Sequence, residues 1–316
     1  MDGLSEKFLA NPGPGSVGSG LSMPRRQRTL AHSIGCVGVG LHSGHEVALQ
    51  MHPAPAGAGI TFHRNDLGVS FPARFDLVSD TRLCTLLAPE GRPEARVGTV
   101  EHVMAALAAA GVTNAVVEVN GPEIPVLDGS SAPFLFLLDC AGLVDQFESA
   151  SVIEILRPVR VEEGEGFAEL LPAAEACFRL EVSIDFTASI IGRQSLALEL
   201  TSGSFRHELA SARTFAMAAE IDALRKAGLA RGGSLDNAVV VDGDRVLNPA
   251  GLLAPDEFVR HKMLDAVGDL YLAGAPIHGC YRAHRPGHGL NNRLLRALFA
   301  DRANYAVGFG GLSQAA

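Results

Sequence analysis

One segment of the sequence repeats polar side chains at helical spacing. In DEFVRHKMLDAVGDLYL, His261, Asp265 and Asp269 recur every four residues, so a helix would bring them onto one face. An imidazole and a carboxylate one turn apart can share a metal ion, as the two histidines of H-E-x-x-H do. Taken alone, however, H-x-x-x-D is more typical of an exposed ion pair on a helix.

A second segment, TVEHVMAALAAAG, begins with the pair Glu101–His102 and is otherwise typical of a buried helix. His102 could complete a set of two histidines and one aspartate, leaving a fourth position for water as an open catalytic zinc site requires. Glu101 could then accept a proton from that water. The residues alone leave the alternative equally open, namely a polar helix start that makes caps or surface contacts.

Two further residues could take part in such chemistry. His288 lies between Gly287 and Gly289 and could act as a general acid or stabilise negative charge. Thr214, in SARTF, could donate a hydrogen bond to an oxyanion. The alternatives are a loop or helix-start histidine and a threonine that caps the following helix.

These residues must be positioned by the surrounding elements. In the first half, HEVALQMHP, GITFHR and NAVVEVN are strand-like. The helix TVEHVMAALAAAG has Thr99 as its predicted N-cap and Gly111 at its end, and a second helix in APFLFLLDCAGLV ends at Gly142.

A new strand-rich stretch begins near Ser151. It is followed by three segments whose sequence is typical of helices, SARTFAMAAEIDALRKAGLA, PDEFVRHKMLDAVGDLYLAG and GHGLNNRLLRALFA. Each half therefore runs strands first and helices later, which predicts an α+β fold. The predicted divisions are a flexible tail over 1–24, a first α+β domain over 25–147, a second over 148–303 and a C-terminal tail over 304–316.

Composition narrows the class of protein. The 316 residues are 47% hydrophobic and carry a formal net charge of -9, which disfavours nucleic-acid binding. The five cysteines are scattered without a C-x-x-C pair, which indicates a reducing compartment. No signal peptide or membrane-spanning run is evident. The sequence therefore predicts a cytoplasmic globular protein.

Together the motifs resemble a known family. TVEHVMAALAAAGVTN, NGPEIPVLDGSSAPF, SARTF, GGSLDNAVVV, DEFVRHKMLDAVGDL and GHGLNN occur in the order found in UDP-3-O-acyl-N-acetylglucosamine deacetylases. The resemblance extends over about residues 26 to 300. It implies the committed step of lipid A biosynthesis in Gram-negative bacteria, and two related β-α-α-β sandwich domains with the active site between them.

The resemblance also implies roles for individual residues. The implied zinc ligands are His102, His261 and Asp265, with one Zn2+ per chain, although Fe2+ suits the same ligands. The implied catalytic residues are Glu101 as general base, His288 as general acid or electrostatic partner, Asp269 as the group that orients His288, and Thr214 as the oxyanion donor.

The implied substrate is a small acylated UDP-sugar, bound by a monomer. The expected contacts are Lys262 and Arg285 to the diphosphate, Phe215 to the sugar, Phe186 to uracil, and Ile221, Leu224, Ala230 and Ser234 along the fatty acyl chain. Two other functions fit the residues less well: a zinc peptidase would not need the diphosphate cations or the acyl passage, and a non-catalytic binder of nucleotide sugars would not need the metal set.

Overall fold

The computed structural model describes residues 26–309, which form strands and helices of an α+β fold, as predicted. The predicted N-terminal tail, residues 1–24, lies outside the described residues. Among the helices of the described range, none has the length and apolar character that a membrane crossing requires.

The first half of the chain supplies a five-stranded main sheet, two two-stranded sheets and two helices. Its strands are β1 (Arg26–Leu30), β2 (Ile34–Val39), β3 (Glu46–Pro53), β4 (Ile60–Arg64), β5 (Val69–Pro72), β6 (Val78–Asp80), β7 (Leu86–Leu87), β8 (Ala115–Val119) and β9 (Leu143–Ser149). Its helices are α1 (Glu101–Ala110) and α2 (Ala132–Ala141), and short 3-10 turns cover Phe75–Leu77 and Pro93–Ala95.

The second half is larger. Its strands are β10 (Ser151–Ile155), β11 (Val159–Glu163), β12 (Gly166–Leu171), β13 (Phe178–Asp185), β14 (Arg193–Glu199), β15 (Phe215–Met217), β16 (Val239–Asp242), β17 (Arg245–Val246), β18 (Ile277–His284) and β19 (Tyr305–Phe309). Its helices are α3 (Ser202–Ser204), which a π-helical turn over Phe205–Leu209 continues, α4 (Ala218–Lys226), α5 (Glu257–Tyr271) and α6 (His288–Ala300), with a 3-10 turn over Arg302–Asn304.

Each half builds its own main sheet. The first has the order β2-β3-β8-β4-β5, in which only the β4–β8 pair is parallel. The second has the order β11-β12-β18-β10-β19, and β13 pairs with both β14 and β18. Along β3, Val47, Leu49 and Met51 are buried on one face, as expected of a sheet with one covered side.

Helices α1, α2, α5 and α6 form one packed group that contacts both main sheets. Helix α1 packs against α2 and α5, α5 packs against α6, α2 contacts β2, and α6 contacts β11 and β12. Every residue of α1 except Ala108 is buried, which explains why its sequence is apolar around the whole circumference. In α5 only Arg260 and Lys262 are not buried.

Helices α1 and α5 are in close contact at Gly268. A β-carbon at Gly268 would lie 2.0 Å from the carbonyl oxygen of Glu101, a distance at which a side chain cannot fit. Glycine therefore allows the first turn of α1 to lie directly on α5. This contact brings Glu101 and His102 beside the polar face of α5.

The helix ends agree with the sequence in part. Gly111, with φ 69°, ends α1 and Gly142 ends α2, as predicted. The prediction of Thr99 as N-cap of α1 is wrong, because Val100 occupies that position without a side-chain cap. The hydroxyl of Thr99 instead donates to Glu123 Oε1 at 3.0 Å, and its φ of 55° turns the backbone ahead of the helix.

Two other segments differ from the sequence interpretation. Within the predicted helix that begins at SARTF, Phe215–Met217 is a strand paired in parallel with Val239–Val241, and the helix is limited to Ala218–Lys226. Strand β19 lies inside the predicted C-terminal tail, residues 304–316, but it pairs antiparallel with β10 from Ser151 to Ile155. Backbone pairing thus makes residues 305–309 part of the second sheet, and the rest of that tail, from residue 310, lies outside the described residues.

Candidate metal centre

Three buried side chains converge where α1 meets α5. One ligand atom from each of His102, His261 and Asp265 lies within 4.8 Å of the others. Asp265 Oδ1 lies 3.3 Å from His261 Nε2 and 3.6 Å from His102 Nε2. The structure thus brings together the three residues that were predicted as ligands, from both halves of the chain.

The donor set fits a divalent metal ion. Asp265 Oδ1 is buried and has no hydrogen-bond partner among residues 26–309, although it faces two imidazole nitrogens. A buried carboxylate oxygen without a partner is costly unless a cation compensates it. Two imidazoles and one carboxylate are a ligand set that suits zinc or iron(II).

His261 is held in the orientation that a ligand requires. Its Nδ1 lies 3.0 Å from the carbonyl oxygen of Ala212, so the ring donates there and leaves Nε2 free as a base. Burial lowers the pKa of His261 to about 4, despite the opposing charge of Asp265, so the ring is neutral at neutral pH. A neutral imidazole is the form that binds a metal ion.

The Ala212 carbonyl is fixed by a buried ion pair between Arg213 and Glu257. Arg213 Nε lies 2.8 Å and Arg213 Nη2 3.1 Å from the two carboxylate oxygens of Glu257, the first residue of α5. Glu257 is only 1% exposed, and it also accepts hydrogen bonds from backbone N–H groups of Arg213 and Leu253. This pair ties the SARTF segment to the start of the helix that carries His261.

His102 is supported by the second helix of the first half. The hydroxyl of Ser131, at the N-cap of α2, donates to the His102 carbonyl at 2.8 Å, and the Ser131 N–H donates to the Ala210 carbonyl at 3.0 Å. Ser131 therefore joins the α1 start to the second half of the chain, close to the candidate metal centre.

Lys262 reaches the other oxygen of Asp265. Its Nζ lies 2.9 Å from Asp265 Oδ2. Burial alone would raise the pKa of Asp265, but neighbouring His261 and Lys262 outweigh that effect and hold the pKa well below its usual range. Asp265 therefore remains ionised, with one oxygen bound to an ammonium group and the other free to bind a metal ion.

Glu101 lies on the same side of the site with only one oxygen engaged. Its Oε2 accepts a hydrogen bond from the Thr85 N–H at 3.0 Å, and its Oε1 lies 3.8 Å from His288 Nε2. Burial raises the pKa of Glu101, opposed by the charges of His288 and His102. A carboxylate with a raised pKa and a free oxygen is suited to accepting a proton.

Asp269 holds His288 from the opposite side of its ring. Asp269 Oδ2 accepts hydrogen bonds from His288 Nδ1 at 2.9 Å and from Asn291 Nδ2 at 2.8 Å, while its Oδ1 accepts from the Thr85 hydroxyl at 2.5 Å. The Tyr281 hydroxyl donates to Asn291 Oδ1 at 2.6 Å. This network leaves the Nε2 of His288 directed towards Glu101.

The surrounding carboxylates keep His288 protonated. Burial lowers the pKa of this histidine, but the negative charges of Asp269 and Glu101 outweigh burial and raise the pKa to about 9. At neutral pH the ring therefore carries a proton on Nε2. Glu101 and His288 thus form a pair in which one group can accept a proton and the other can donate one.

These groups line a cavity of about 460 Å3. Of the predicted catalytic and metal residues, it is lined by Glu101, His102, Thr214, His261, Asp265 and His288. Asp269 lies behind His288. Of the predicted substrate contacts, Lys262, Phe215 and Arg285 line the cavity, whereas Phe186, Ile221, Leu224, Ala230 and Ser234 are not among its lining residues.

Phe215 and Phe186 form part of an aromatic cluster beside the cavity. Their ring centroids are 5.5 Å apart in an edge-to-face arrangement, and Phe258 lies 5.0 Å from Phe215. Lys262 Nζ lies 5.5 Å from the Phe215 ring centroid. The cluster provides an aromatic surface next to a cation.

Arg285 is engaged by carboxylates at the rim of the cavity. It forms ion pairs with Glu165 and, at 3.3 Å, with Asp185, and its φ of 49° is unusual for a residue other than glycine. Arg293 also lines the cavity and pairs with Glu163 at 2.8 Å. Both arginines are thus balanced by acids within the chain.

The predicted acyl-chain residues lie on and after α4. Ile221 and Leu224 are half-buried on this helix, in which no residue is fully buried. Ala230 has a φ of 51°, and Ser234 is exposed and donates its N–H to Asn237 Oδ1 at 2.8 Å. The helix presents a partly uncovered apolar side.

Sequence reasoning missed the residues that support the site, namely Thr85, Glu257, Arg213, Asn291 and Tyr281. Asn291 lies in the motif GHGLNN and Arg213 in the motif SARTF. Membership of these motifs is the one sequence feature that could have identified them as supporting residues. Glu257 carried no signal of its role, because its partner Arg213 lies 44 positions away. Thr85 carried no signal, because its partner Asp269 is 184 positions away.

Comparisons with a family model and with individual known proteins identify the same family. Residues 27–300 match the family described as UDP-3-O-acyl N-acetylglycosamine deacetylase. A UDP-3-O-acyl-N-acetylglucosamine deacetylase of Idiomarina loihiensis is 49% identical over 282 residues, covering 88% of this chain and 91% of the relative. Proteins of the same name from Anaeromyxobacter sp. and Pasteurella multocida are 48% and 47% identical over 281 residues, covering 89% and 88% of this chain and 91% of each relative.

Proposed function

Because this chain belongs to the UDP-3-O-acyl-N-acetylglucosamine deacetylase family and is therefore a hydrolase, we propose that it hydrolyses the N-acetyl group of UDP-3-O-acyl-N-acetylglucosamine in a zinc-dependent reaction that releases acetate. The observation that carries this proposal is the buried set His102, His261 and Asp265 beside Glu101 and His288. In this proposal the reaction is the committed step of lipid A biosynthesis in a Gram-negative bacterium.

His102, His261 and Asp265 would hold the metal ion, one per chain, with iron(II) as the alternative to zinc. When bound, such an ion supplies a Lewis acid for the acetyl carbonyl and lowers the pKa of water at the site. The free Oδ1 of Asp265 supports this assignment, as does the hydrogen bond that directs His261 Nε2 inwards.

Glu101 would act as the general base. Within residues 26–309 its Oε1 accepts no hydrogen bond and lies 3.8 Å from His288 Nε2, so this oxygen can take the proton of the attacking water. Its other oxygen stays fixed by the Thr85 N–H, which holds the carboxylate in place during the transfer. The raised pKa improves the carboxylate as a base near neutral pH.

Thr214 and His288 would act on the substrate side of the reaction. Thr214 lines the cavity, and its hydroxyl can donate to the oxyanion that forms when water attacks the amide. His288 would give its Nε2 proton to the leaving amine, which is a poor leaving group without protonation. Asp269 would keep the ring oriented and protonated for that transfer.

The substrate would bind along the surfaces that surround the cavity. Lys262 and Arg285 would meet the diphosphate, Phe215 the sugar ring and Phe186 the uracil. The fatty acyl chain would follow the half-buried side of α4, past Ile221, Leu224, Ala230 and Ser234. The cations complement the charge of the diphosphate, the aromatic rings can stack on the sugar and the uracil, and the apolar side chains of α4 suit the acyl chain.

We also propose that the protein acts in the cytoplasm as a monomer. All five cysteines are free thiols, which suits a reducing compartment. Nothing in this proposal requires a residue from a second chain at the site.

The test is deacetylation of UDP-3-O-acyl-N-acetylglucosamine by the full-length protein after its metal content has been measured. Acetate release that depends on zinc, at about one ion per chain, would support substrate and site together. If the protein binds metal but hydrolyses peptides and leaves this substrate unchanged, the proposed substrate is wrong. If it binds the substrate without turnover and without metal, the catalytic proposal is wrong.

A further inference from the structure

A second cavity, of about 500 Å3, lies at the other end of the two central helices. Helix α1 carries Glu101 and His102 at its start and lines this cavity with Ala108 and Ala109 near its end. Helix α5 contributes Leu270 from its last turn. Among residues 26–309, the two cavities have no lining residue in common.

The walls of this second cavity are mainly apolar. Its apolar wall residues include Ala109, Phe178, Leu200, Val267, Leu270 and Ile277. Three hydroxyl groups line the wall: that of Tyr271 donates to the Val112 carbonyl at 2.7 Å, that of Thr201 accepts from the Ser204 N–H at 2.8 Å, and that of Ser202 makes no hydrogen bond within residues 26–309. The walls therefore favour an aliphatic group over a sugar or a base.

One edge of the second cavity is cationic. Arg28 is balanced there by Asp145 at 2.7 Å and also donates to the Ala110 carbonyl at 3.4 Å. Arg26 lines the same edge and forms no salt bridge within residues 26–309; its guanidinium lies 6.0 Å from the ring centroid of Phe147. Two arginines and one aspartate thus leave a single positive charge at the edge of an apolar cavity.

We propose that this cavity is a second ligand site that binds a long-chain aliphatic carboxylate. The chain would lie between the ends of α1 and α5, and the carboxylate would bind Arg26. The volume lies within the range of about 300–1,000 Å3 usual for small-molecule sites, which combine apolar walls with a few polar groups that fix orientation. The proposal does not depend on the reaction proposed for the metal centre.

Dodecanoate is a suitable probe, used below the concentration at which it forms micelles. Binding to the full-length, metal-loaded protein is measured by equilibrium dialysis with the radiolabelled acid. Because the proposed acyl passage along α4 could also bind this probe, the measurement is repeated in Leu224→Glu. We expect about one dodecanoate to remain bound to that variant.

Two substitutions test the second cavity in the Leu224→Glu background. Arg26→Gln removes the unbalanced charge and should weaken binding about tenfold, as expected when a charge-assisted contact is lost. Ala108→Phe should fill the space and abolish binding. Arg245→Gln, a change of the same charge on the exposed β17 strand, is the matched control and should leave the dissociation constant unchanged.

Two results would overturn the proposal. In the first, Leu224→Glu alone removes all bound dodecanoate, which would assign the probe to the α4 passage. In the second, Arg26→Gln binds as tightly as its parent. Arg26 is exposed, so this variant gives an answer even if Ala108→Phe fails to fold.

Discussion

Asp269 Oδ2 lies 2.9 Å from His288 Nδ1, and this contact sets both the orientation and the charge of the histidine. Asp269 belongs to α5 and His288 begins α6, so the packing of these two helices determines the protonation state of a group at the cavity wall. The carboxylate itself lies behind the ring, away from the space that a substrate would fill.

Replacing Asp269 by Asn should shift the pH dependence of turnover. With a pKa of about 9, His288 is protonated below that pH, so the basic limb of kcat/KM should lie near pH 9 in the wild type. Asp269→Asn removes a negative charge, so the pKa falls and the basic limb moves to lower pH. A pH–rate profile measures the shift, with Asp244→Asn as an exposed control of equal charge change. If the basic limb does not move, it does not report the pKa of His288.

Removing His261 should remove the metal ion. His261→Ala deletes one of three ligands, so metal content should fall from about one ion per chain to a small fraction, with turnover lost in parallel. Elemental analysis and the deacetylation assay on the same sample measure both quantities. His45→Ala changes an exposed histidine and should retain metal and activity. Full metal content in His261→Ala would exclude His261 as a ligand.

Gly268→Ala should destabilise the contact between α1 and α5. The added β-carbon would meet the Glu101 carbonyl oxygen at 2.0 Å, so the helices must separate. Overpacking of this kind costs about 1–3 kcal/mol in the free energy of unfolding, and it should also lower kcat by displacing Glu101. Denaturant unfolding and steady-state kinetics measure the two effects. Gly308→Ala, where a β-carbon meets open space, should change neither.

Neutralising Glu165 should strengthen binding of a substrate diphosphate. Glu165 and Asp185 both pair with the guanidinium of Arg285, so Glu165→Gln leaves this cation with one acidic partner in place of two. Because the pair is exposed, the fall in KM should be modest, about threefold, and should diminish at high salt. Arg285→Ala should raise KM instead. Glu148→Gln, an exposed change of the same charge on β9, serves as the control, and equal KM values for both Glu variants would contradict the role of Arg285.

Acyl-chain length should affect turnover through α4. Each buried methylene contributes up to about 0.8 kcal/mol, or about fourfold in kcat/KM. A charge in the passage should reduce this dependence, so Leu224→Glu should flatten the plot of log kcat/KM against chain length. Ala223→Glu introduces the same charge at the neighbouring exposed position of α4 and should keep the wild-type slope. Equal slopes in all three proteins would exclude Leu224 from the passage.

The sequence predicts the central elements well because each has a local signal. The sequence alone shows the glycines that end α1 and α2 and the four-residue repeat on α5. In the structure the predicted ligands on α1 and α5 lie together. The family is identified from the order in which the motifs occur along the sequence. The α+β class follows from the succession of strands and helices in each half.

What the sequence does not predict depends on contacts between distant positions. Thr85 is held by Asp269 across 184 positions, and Arg213 by Glu257 across 44. The strand Phe215–Met217 forms because Val239–Val241 pairs with it, although the local sequence favours a helix. Residues 305–309 form a strand for the same reason, since β10 supplies the partner.

The metal centre joins the first and second halves of the chain, and this has a consequence for how the protein is made. His102 leaves the ribosome early, whereas His261 and Asp265 are translated in the last fifth of the sequence. A nascent or truncated chain that ends before α5 carries only one of the three proposed ligands and would not retain the ion. If these residues bind the ion as proposed, metal loading would follow synthesis of nearly the whole polypeptide, and incomplete translation products would be inert rather than partly active.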